Sequence, residues 1–315
     1  MIESEVIIVG GGPAGAACAW KLNQARIQTL ILDKTEFPRL KLCAGWVTPK
    51  VFKYLQIAPS DYPHSLLRFN TLHFSFHGKR LPVKTRQFSI RRIEFDEWLL
   101  KRAGVPIHHH EVKNIRCDGG YYILDEQYRC RYLVGAGGTN CPVYRSFFRQ
   151  EHPRETDKLI VTLEAEFPNH YQNKNCYLWF FDRDLPGYSW YVPKGKQFLN
   201  IGIGAKQHDL KSGNETLRDH WNYFVERLQK NGLLEGDVPT AKGYSYYLRQ
   251  KNTVIQKDTV FLAGDAAGLA TLDMGEGIRP AIASGIRAAN AILGISAYSV
   301  QSIGKYSFRD ILFPW

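Results

Sequence analysis

A glycine turn near the N-terminus, Gly10-Gly11-Gly12-Pro13-Ala14-Gly15, leaves few folds open to this chain. Residues 5–9 before it read as a short buried strand, and the run after it, through Trp20 and Leu22, reads as a helix. A second apolar strand, 29–32, ends in Asp33, with Lys34 beside it. The spacing of Gly10, Gly12 and Gly15 has a mechanical reason. The first allows a tight turn, the second lets backbone approach a pyrophosphate, and the third lets the helix pack close to the strand. The helix start offers free N–H groups and partial positive charge to phosphates. Asp33 is placed to accept hydrogen bonds from a ribose. Glycines at this spacing also occur in ordinary loops; the flanking strand, helix and acid select dinucleotide binding.

The rest of the composition bounds the setting. A chain of 315 residues is long enough for two domains or one large one. It is 44% apolar and 23% charged, with no run approaching the roughly 18 apolar residues of a membrane span. The start, Met1-Ile2-Glu3-Ser4-Glu5, is acidic and leads directly into a core strand, unlike a secretory signal, so a cytoplasmic protein is expected. The formal charge of +11 suits solubility and an anionic cofactor; the sharper alternative is attraction to anionic lipid headgroups or an acidic partner. Nucleic acid is not expected, since no dense Lys/Arg run is interleaved with a reading motif. The cysteines at 18, 43, 117, 130, 141 and 176 form no CxxC pair, which argues against zinc and for a reducing compartment.

Along the chain, Cys43-Ala44-Gly45-Trp46 opens a loop before a helix near residues 49–55. Its small residues let backbone pass close to something flat, or simply pack a buried thiol. Residues 67–89 alternate in polarity about Gly78-Lys79, a hairpin with Leu72, Phe74 and Phe76 on one face. His73 and His77 are too far apart on such a strand to chelate one metal. A helix begins at Arg92, with Phe95 and Leu99 inward, and ends at Gly104. His108-His109-His110 lie in an extended segment and alternate faces, so they make no metal triad. Residues 112–123 and 127–134 form an antiparallel piece that runs into a second glycine turn, Gly135-Ala136-Gly137-Gly138. Strands follow at 160–167, 176–181, 187–193 and 197–204, then an amphipathic helix at 217–228. A third small-residue turn, Gly264-Asp265-Ala266-Ala267-Gly268, follows the strand at 260–262. Gly275-Glu276-Gly277-Ile278 precedes a small-residue helix at 281–293.

This pattern predicts an α/β protein: a Rossmann-like dinucleotide-binding domain with an inserted, mainly antiparallel β-sheet domain. The expected cofactor domain is discontinuous, residues 1–66, 84–157 and 251–295. The expected substrate sheet is 67–83 and 158–250, with 296–315 as a C-terminal tail.

The three glycine turns together resemble the FAD-binding signatures of the para-hydroxybenzoate-hydroxylase-type flavoproteins. Within that superfamily the chain most resembles the geranylgeranyl reductase family. Cys43-Ala44-Gly45, Arg92-x-x-Phe95-Asp96-x-x-Leu99, the run Gly187-Tyr188-Ser189-Trp190-Tyr191-Val192-Pro193-Lys194-Gly195, and Gly275-Glu276-Gly277-Ile278 carry the likeness. It spans residues 6 to about 291.

The resemblance implies FAD as cofactor. Gly10, Gly12, Pro13, Ala14 and Gly15 would hold the pyrophosphate and Asp33 the adenosine ribose, and Lys34 would contact the cofactor. Cys43, Ala44, Gly45, Arg92, Gly135, Ala136 and Gly138 would also contact the cofactor. Gly264 and Asp265 would meet its ribityl or pyrophosphate part, although Asp265 also suits capping of the turn it begins. Gly275, Gly277 and Ile278 would bring N–H groups to the flavin ring. Two departures stand out. Gly137 takes the place of the family's usual aspartate, which implies one polar contact fewer to FAD, and the C-terminal region is short, which implies a more open substrate cavity.

The implied activity is reduction of carbon–carbon double bonds in a hydrophobic isoprenoid or lipid-like substrate, with hydride from reduced flavin and Cys43 as proton donor or pocket wall. Trp46, Tyr188, Trp190 and Tyr191 would line the substrate channel, unless the last three are ordinary sheet packing. A flavin monooxygenase or halogenase, and a non-catalytic flavin or electron-relay protein, are the alternatives. With a single GxGxxG, the electron donor would be NAD(P)H bound transiently or a reduced carrier protein docked on the basic surface. A peripheral membrane contact is the remaining partner expected.

Overall fold

The computed structural model describes residues 1–171, 173–251 and 254–314. They divide into two units, each assembled from separated stretches of chain.

The first unit comprises Met1–Arg39, Ile93–Glu155 and Tyr246–Ser307. The buried apolar run of Ile2–Val9 makes the centre of its sheet. In sheet order the strands are Gln256–Lys257, Val260–Leu262, Tyr128–Gly135, Ile2–Val9, Thr29–Asp33 and Ile107–His109. All but the first run parallel, as crossover helices require. The hairpin Ile115–Asp118 and Tyr121–Leu124 turns at Gly119-Gly120 and extends the edge of Tyr128–Gly135. Val9 pairs with both Leu32 and Gly135, and Gly135 pairs with Leu262. This register puts the three glycine turns side by side at the carboxyl ends of the parallel strands, where open α/β sheets bind ligands.

Two helices cross tightly over this sheet, Pro13–Gln24 and Ile278–Ile292. A Cβ on Gly285 would overlap the Ala14 carbonyl, so glycine there sets the spacing. The second helix starts three residues before the expected 281, because Gly277 already serves as its N-cap. The helix Arg92–Ala103 buries Phe95 and Leu99, leaves Trp98 half-buried, and ends at Gly104 with φ +65°.

The second unit comprises Leu40–Arg92, Thr156–Ser245 and Phe308–Trp315, of which Trp315 lies outside the described residues. Its eight-stranded sheet runs Lys242–Tyr247, Leu159–Pro168, Phe198–Lys206, Gly187–Lys194, Cys176–Phe180, Leu67–Phe76, Lys79–Ser89 and Trp46–Val47. One face buries Trp179, Tyr191, Leu199, Ile201 and Ile203 against Trp221, Phe224 and Leu228 of the helix Leu217–Lys230. That helix opens on a capping box, Thr216 with Asp219.

The unit boundaries differ from the expected domain limits. Residues 40–66 and 84–92 cluster with the second sheet, because Trp46–Val47 pairs with Lys79–Ser89. The end of the chain divides as well. The short helix Phe308–Leu312 docks on the same edge, where Thr85 Oγ1 donates to Ile311 O at 2.6 Å and Lys50 meets Asp310 at 2.5 Å.

Candidate active site

The first glycine turn is a cradle shaped by missing side chains. Gly10 has φ +112°, and a Cβ there would overlap the Ala136 carbonyl. A Cβ on Gly15 would stand 1.9 Å from Gly10 O. Gly12 differs: the nearest atom to its absent Cβ is Nη2 of Arg39, at 3.5 Å. The helix that follows begins with Pro13, lacks a side-chain cap and has no acid in its first turn. Among the described residues, the N–H groups of Gly12, Ala14 and Gly15 meet no acceptor in the chain. Free donors, a helix start and open space over Gly12 fit an anion, and a pyrophosphate in particular.

Asp33 is 8% exposed and braces this turn. Its Oδ2 accepts from Gly11 N at 2.7 Å; its Oδ1 accepts from Thr35 N at 2.9 Å and Thr35 Oγ1 at 2.7 Å. A carboxylate offers about four acceptor positions, so one remains for a ribose hydroxyl. Lys34 is exposed, and its carbonyl is within 2.9 Å of His109 Nε2. Arg39 was not foreseen. Its guanidinium stacks 4.7 Å from the Phe37 ring centre and lies 3.8 Å from the buried Asp96 carboxylate. The signal was an arginine six residues past the acid, in Phe37-Pro38-Arg39.

The second and third turns close on the first. Ala136 N donates to Val9 O at 2.8 Å and Ala263 N to Gly135 O at 2.9 Å. Ala14, Ala263 and Ala281 form a small buried cluster with Ala136 packed on it. Gly264, φ +62°, donates its N–H to Ser284 Oγ at 2.9 Å. The N–H of Gly268 is taken by the Asp265 carbonyl, and Asp265 Oδ1 points toward Gly277, 3.4 Å from where a Cβ would be. Gly137 is exposed and Gly138 half-buried with φ +75°.

Arg154, another residue missed from sequence, ties the second and third turns together. Its Nη1 donates to Thr139 O at 2.6 Å, and its Nη2 to Ala266 O at 2.8 Å and Asp265 O at 3.4 Å. Its guanidinium packs 3.9 Å from the Tyr144 ring centre and 4.9 Å from that of Tyr247. Burial holds its pKa below the usual arginine value.

The last turn of this unit carries a carboxylate at a helix start. Gly275, φ +60°, leaves room for the Tyr246 hydroxyl. Glu276 Oε1 accepts from Arg279 N at 2.8 Å, and its Oε2 from Arg279 Nε at 3.0 Å. Among the described residues, the N–H groups of Gly277 and Ile278 have no acceptor in the chain.

In the sheet unit, Cys43 is half-buried and its Sγ accepts from Gly45 N at 3.3 Å. Ala44 is half-buried and Gly45 buried, with φ +62°. Trp46 donates Nε1–H to Gln87 Oε1 at 3.1 Å. Arg92 is buried at the start of its helix. Tyr188 and Trp190 share one sheet face with Phe180, Phe76 and Phe74, in a row with ring centres 4.8 to 6.3 Å apart. Tyr191 does not join them. Alternation along the strand turns it to the opposite face, into the core beneath the helix Leu217–Lys230. Its expected place in a channel lining is therefore corrected to core packing.

The indole of Trp190 lies across Gly202, where a Cβ would stand 2.2 Å from its Cζ2. Its Nε1 donates to Asn200 Oδ1 at 2.7 Å, and Asn200 Nδ2 to Glu164 Oε2 at 3.4 Å. Glu164 is 2% exposed, and burial pushes its pKa up from 4.5 to about 7. A carboxyl with a raised folded pKa binds more protons folded than unfolded. Its contribution to stability is therefore full below pH 4.5 and is lost as pH rises through about 7. Glu164→Gln is expected to remove that loss, gaining on the order of 2 kcal/mol over wild type at pH 8 relative to pH 4. Urea unfolding at both pH values checks this; an equal difference at the two would overturn it.

The histidine run disperses into structure: His108 Nδ1 lies 3.3 Å from Tyr128 Oη, and His110 Nε2 lies 2.8 Å from Asp125. No metal-binding cluster of His, Cys, Asp or Glu occurs among the described residues. Among these residues, too, no helix is long and apolar enough to cross a membrane.

Comparison with known proteins agrees with this geometry. Residues 8–42 match the NAD(P)-binding Rossmann-like domain family. An uncharacterized protein of Methanosarcina barkeri is 30% identical over 99% of this chain and 81% of its own length. A geranylgeranyl diphosphate reductase of Rhodobacter capsulatus is 26% identical over 93% of this chain and 75% of its own. In fold, a geranylgeranyl bacteriochlorophyll reductase-like protein from Thermoplasma acidophilum superposes with a TM-score of 0.80 at 19% identity, covering 96% of this chain and 81% of that one. Shared sequence along nearly the whole chain makes the protein a member of the geranylgeranyl reductase family of FAD-dependent oxidoreductases.

Proposed function

We propose that the protein reduces carbon–carbon double bonds of an isoprenoid, lipid-like substrate. The observation that carries this reading is the aromatic row from Phe74 to Trp190, a continuous run of rings on one sheet face, suited to a hydrocarbon chain. The name of the Rhodobacter relative supports it. Bound FAD, once reduced, supplies the hydride.

The chain's own residues do the rest. The free N–H groups at Gly12, Ala14 and Gly15 and the Arg39 guanidinium hold the pyrophosphate. Asp33 holds the ribose, Arg154 keeps the second and third turns in register, and Gly277 and Ile278 offer donors to the ring. The Cys43 thiol delivers the proton that completes saturation. Electrons come from NAD(P)H or a reduced carrier protein, since the chain has a single GxGxxG. The net charge of +11, with Leu81 53% and Phe181 46% exposed near Lys79 and Arg80, supports transient contact with an anionic bilayer surface.

The test is anaerobic. Reduced protein is mixed with a geranylgeranyl lipid, and flavin absorbance and product mass are followed. Re-oxidation with a gain of two hydrogens per double bond supports the reading. Re-oxidation by oxygen alone, with a hydroxylated or halogenated product, replaces it with the monooxygenase or halogenase alternative. Cys43→Ala is expected to slow saturation about 100-fold while FAD content is unchanged; unaltered turnover would remove the thiol from the mechanism.

A further inference from the structure

Lys194 ends the strand Gly187–Lys194, and its side chain is fully buried. Lysine is almost never buried to this extent unless paired. The hydrogen bonds of its Nζ go to two main-chain carbonyls, Ile90 O at 2.8 Å and Ala44 O. The second of these belongs to the Cys43 turn.

Several contacts converge there. Gly45 O accepts from Ile90 N at 2.8 Å, so the turn is already tied to that segment by main chain. A Cβ on Gly45 would overlap both Lys194 Nζ and Ile90 O, which makes glycine obligatory and leaves no slack around the ammonium. The lysine itself is pinned, because Tyr171 Oη donates to Lys194 O at 2.7 Å. Glu164 and Glu166 from Leu159–Pro168, Cys176 from its neighbouring strand, and Cys43 are the titratable groups that act on it. Burial lowers its pKa, and these groups work against that shift.

We propose that Lys194 is the positioning residue of the Cys43 turn, clamping Ala44 and Ile90 so that the Cys43 thiol is presented in one fixed orientation. It touches no reacting atom. Without Nζ the two carbonyls lose their donor, and the turn is held only from its Gly45 side, by the Ile90–Gly45 bond and the pairing of Trp46–Val47 with Lys79–Ser89. Its kinetic consequence rests on the reading of Cys43 as proton donor; its structural consequence does not.

The experiment uses FAD-loaded protein in a Cys117→Ser background, since Cys117 is the exposed thiol. N-ethylmaleimide labelling is followed peptide by peptide. Cys18 and Cys130, each raised to about 12 by burial and remote from Lys194 in their electrostatics, report global opening. Lys194→Met is expected to speed Cys43 labelling about tenfold, as loss of a buried hydrogen-bond donor predicts, with Cys18 and Cys130 unchanged. Its kcat for saturation is expected to fall about tenfold at constant KM and FAD content. Lys194→Gln, which keeps one shorter donor, should fall between and serves if the methionine variant does not fold. Labelling of Cys43 at the wild-type rate overturns the proposal, and so does acceleration of all cysteines together. If the wild type saturates no alkene, the function fails, and the labelling arm still decides the role of Lys194.

Discussion

Gly15→Ala is expected to yield a protein that no longer retains FAD. The added Cβ would stand 1.9 Å from Gly10 O and 3.1 Å from Ile8 Cγ2. The nearer atom is main chain and cannot swing aside, so the helix Pro13–Gln24 must lift from its strand. That carries the free N–H groups at Gly12, Ala14 and Gly15 away from the phosphates they are proposed to hold. We expect FAD affinity to fall at least about 100-fold, close to 3 kcal/mol. Gly12→Ala separates binding from packing. Its Cβ meets nothing nearer than Arg39 Nη2 at 3.5 Å, so the fold should keep its Tm while the methyl fills the pyrophosphate space. Flavin absorbance per protein after desalting, with thermal melts, reads both effects. A Gly15→Ala protein with a full complement of FAD would contradict this account of the turn.

The second large effect is expected at Gly202. Alanine there would press into Trp190 Cζ2 and come within 2.8 Å of Glu164 Cβ. The indole must leave the sheet and surrender its bond to Asn200. Overpacking of this kind costs about 1–3 kcal/mol, and a buried polar pair is broken besides. We expect a shifted tryptophan emission, and kcat/KM for alkene saturation lower by tenfold or more with FAD content unchanged. Gly204→Ala is the control, because its Cβ would sit at ordinary distance from Trp190, 3.5 Å, and slightly close to Thr162 Cγ2, 3.3 Å. Equal losses at both positions would mean that the sheet tolerates no side chain there and that Trp190 is not the reason.

The parts legible in sequence were those whose causes are local. The first strand, turn, helix and strand lie within some thirty residues, and their periodicities state the fold directly. The helix Leu217–Lys230 was equally plain, since Trp221, Phe224 and Leu228 recur at helical spacing. The edge strand Lys242–Tyr247 escaped notice because none of its residues is buried, so no hydrophobic alternation marks it. Tyr191 was misplaced by reading an aromatic cluster as one surface, although adjacent residues of a strand face opposite ways. Lys194 and Arg154 had no local signature at all. Their partners, Ala44 and Ala266, lie 150 and 112 residues away, and a charged side chain in a strand or loop is ordinarily solvated.

The Glu276 turn sets an electrical condition on the cofactor. A bare helix start carries roughly half a positive charge. Here the Glu276 carboxylate sits on that start, and Arg279, 3% exposed, offsets the carboxylate in turn. The pair cancels itself, and the helix start keeps its partial positive charge. A flavin seated against it, as proposed, would gain hydrogen bonds from Gly277 and Ile278 and a field that favours extra electron density. Such a field would stabilise the reduced ring on which the proposed hydride transfer depends.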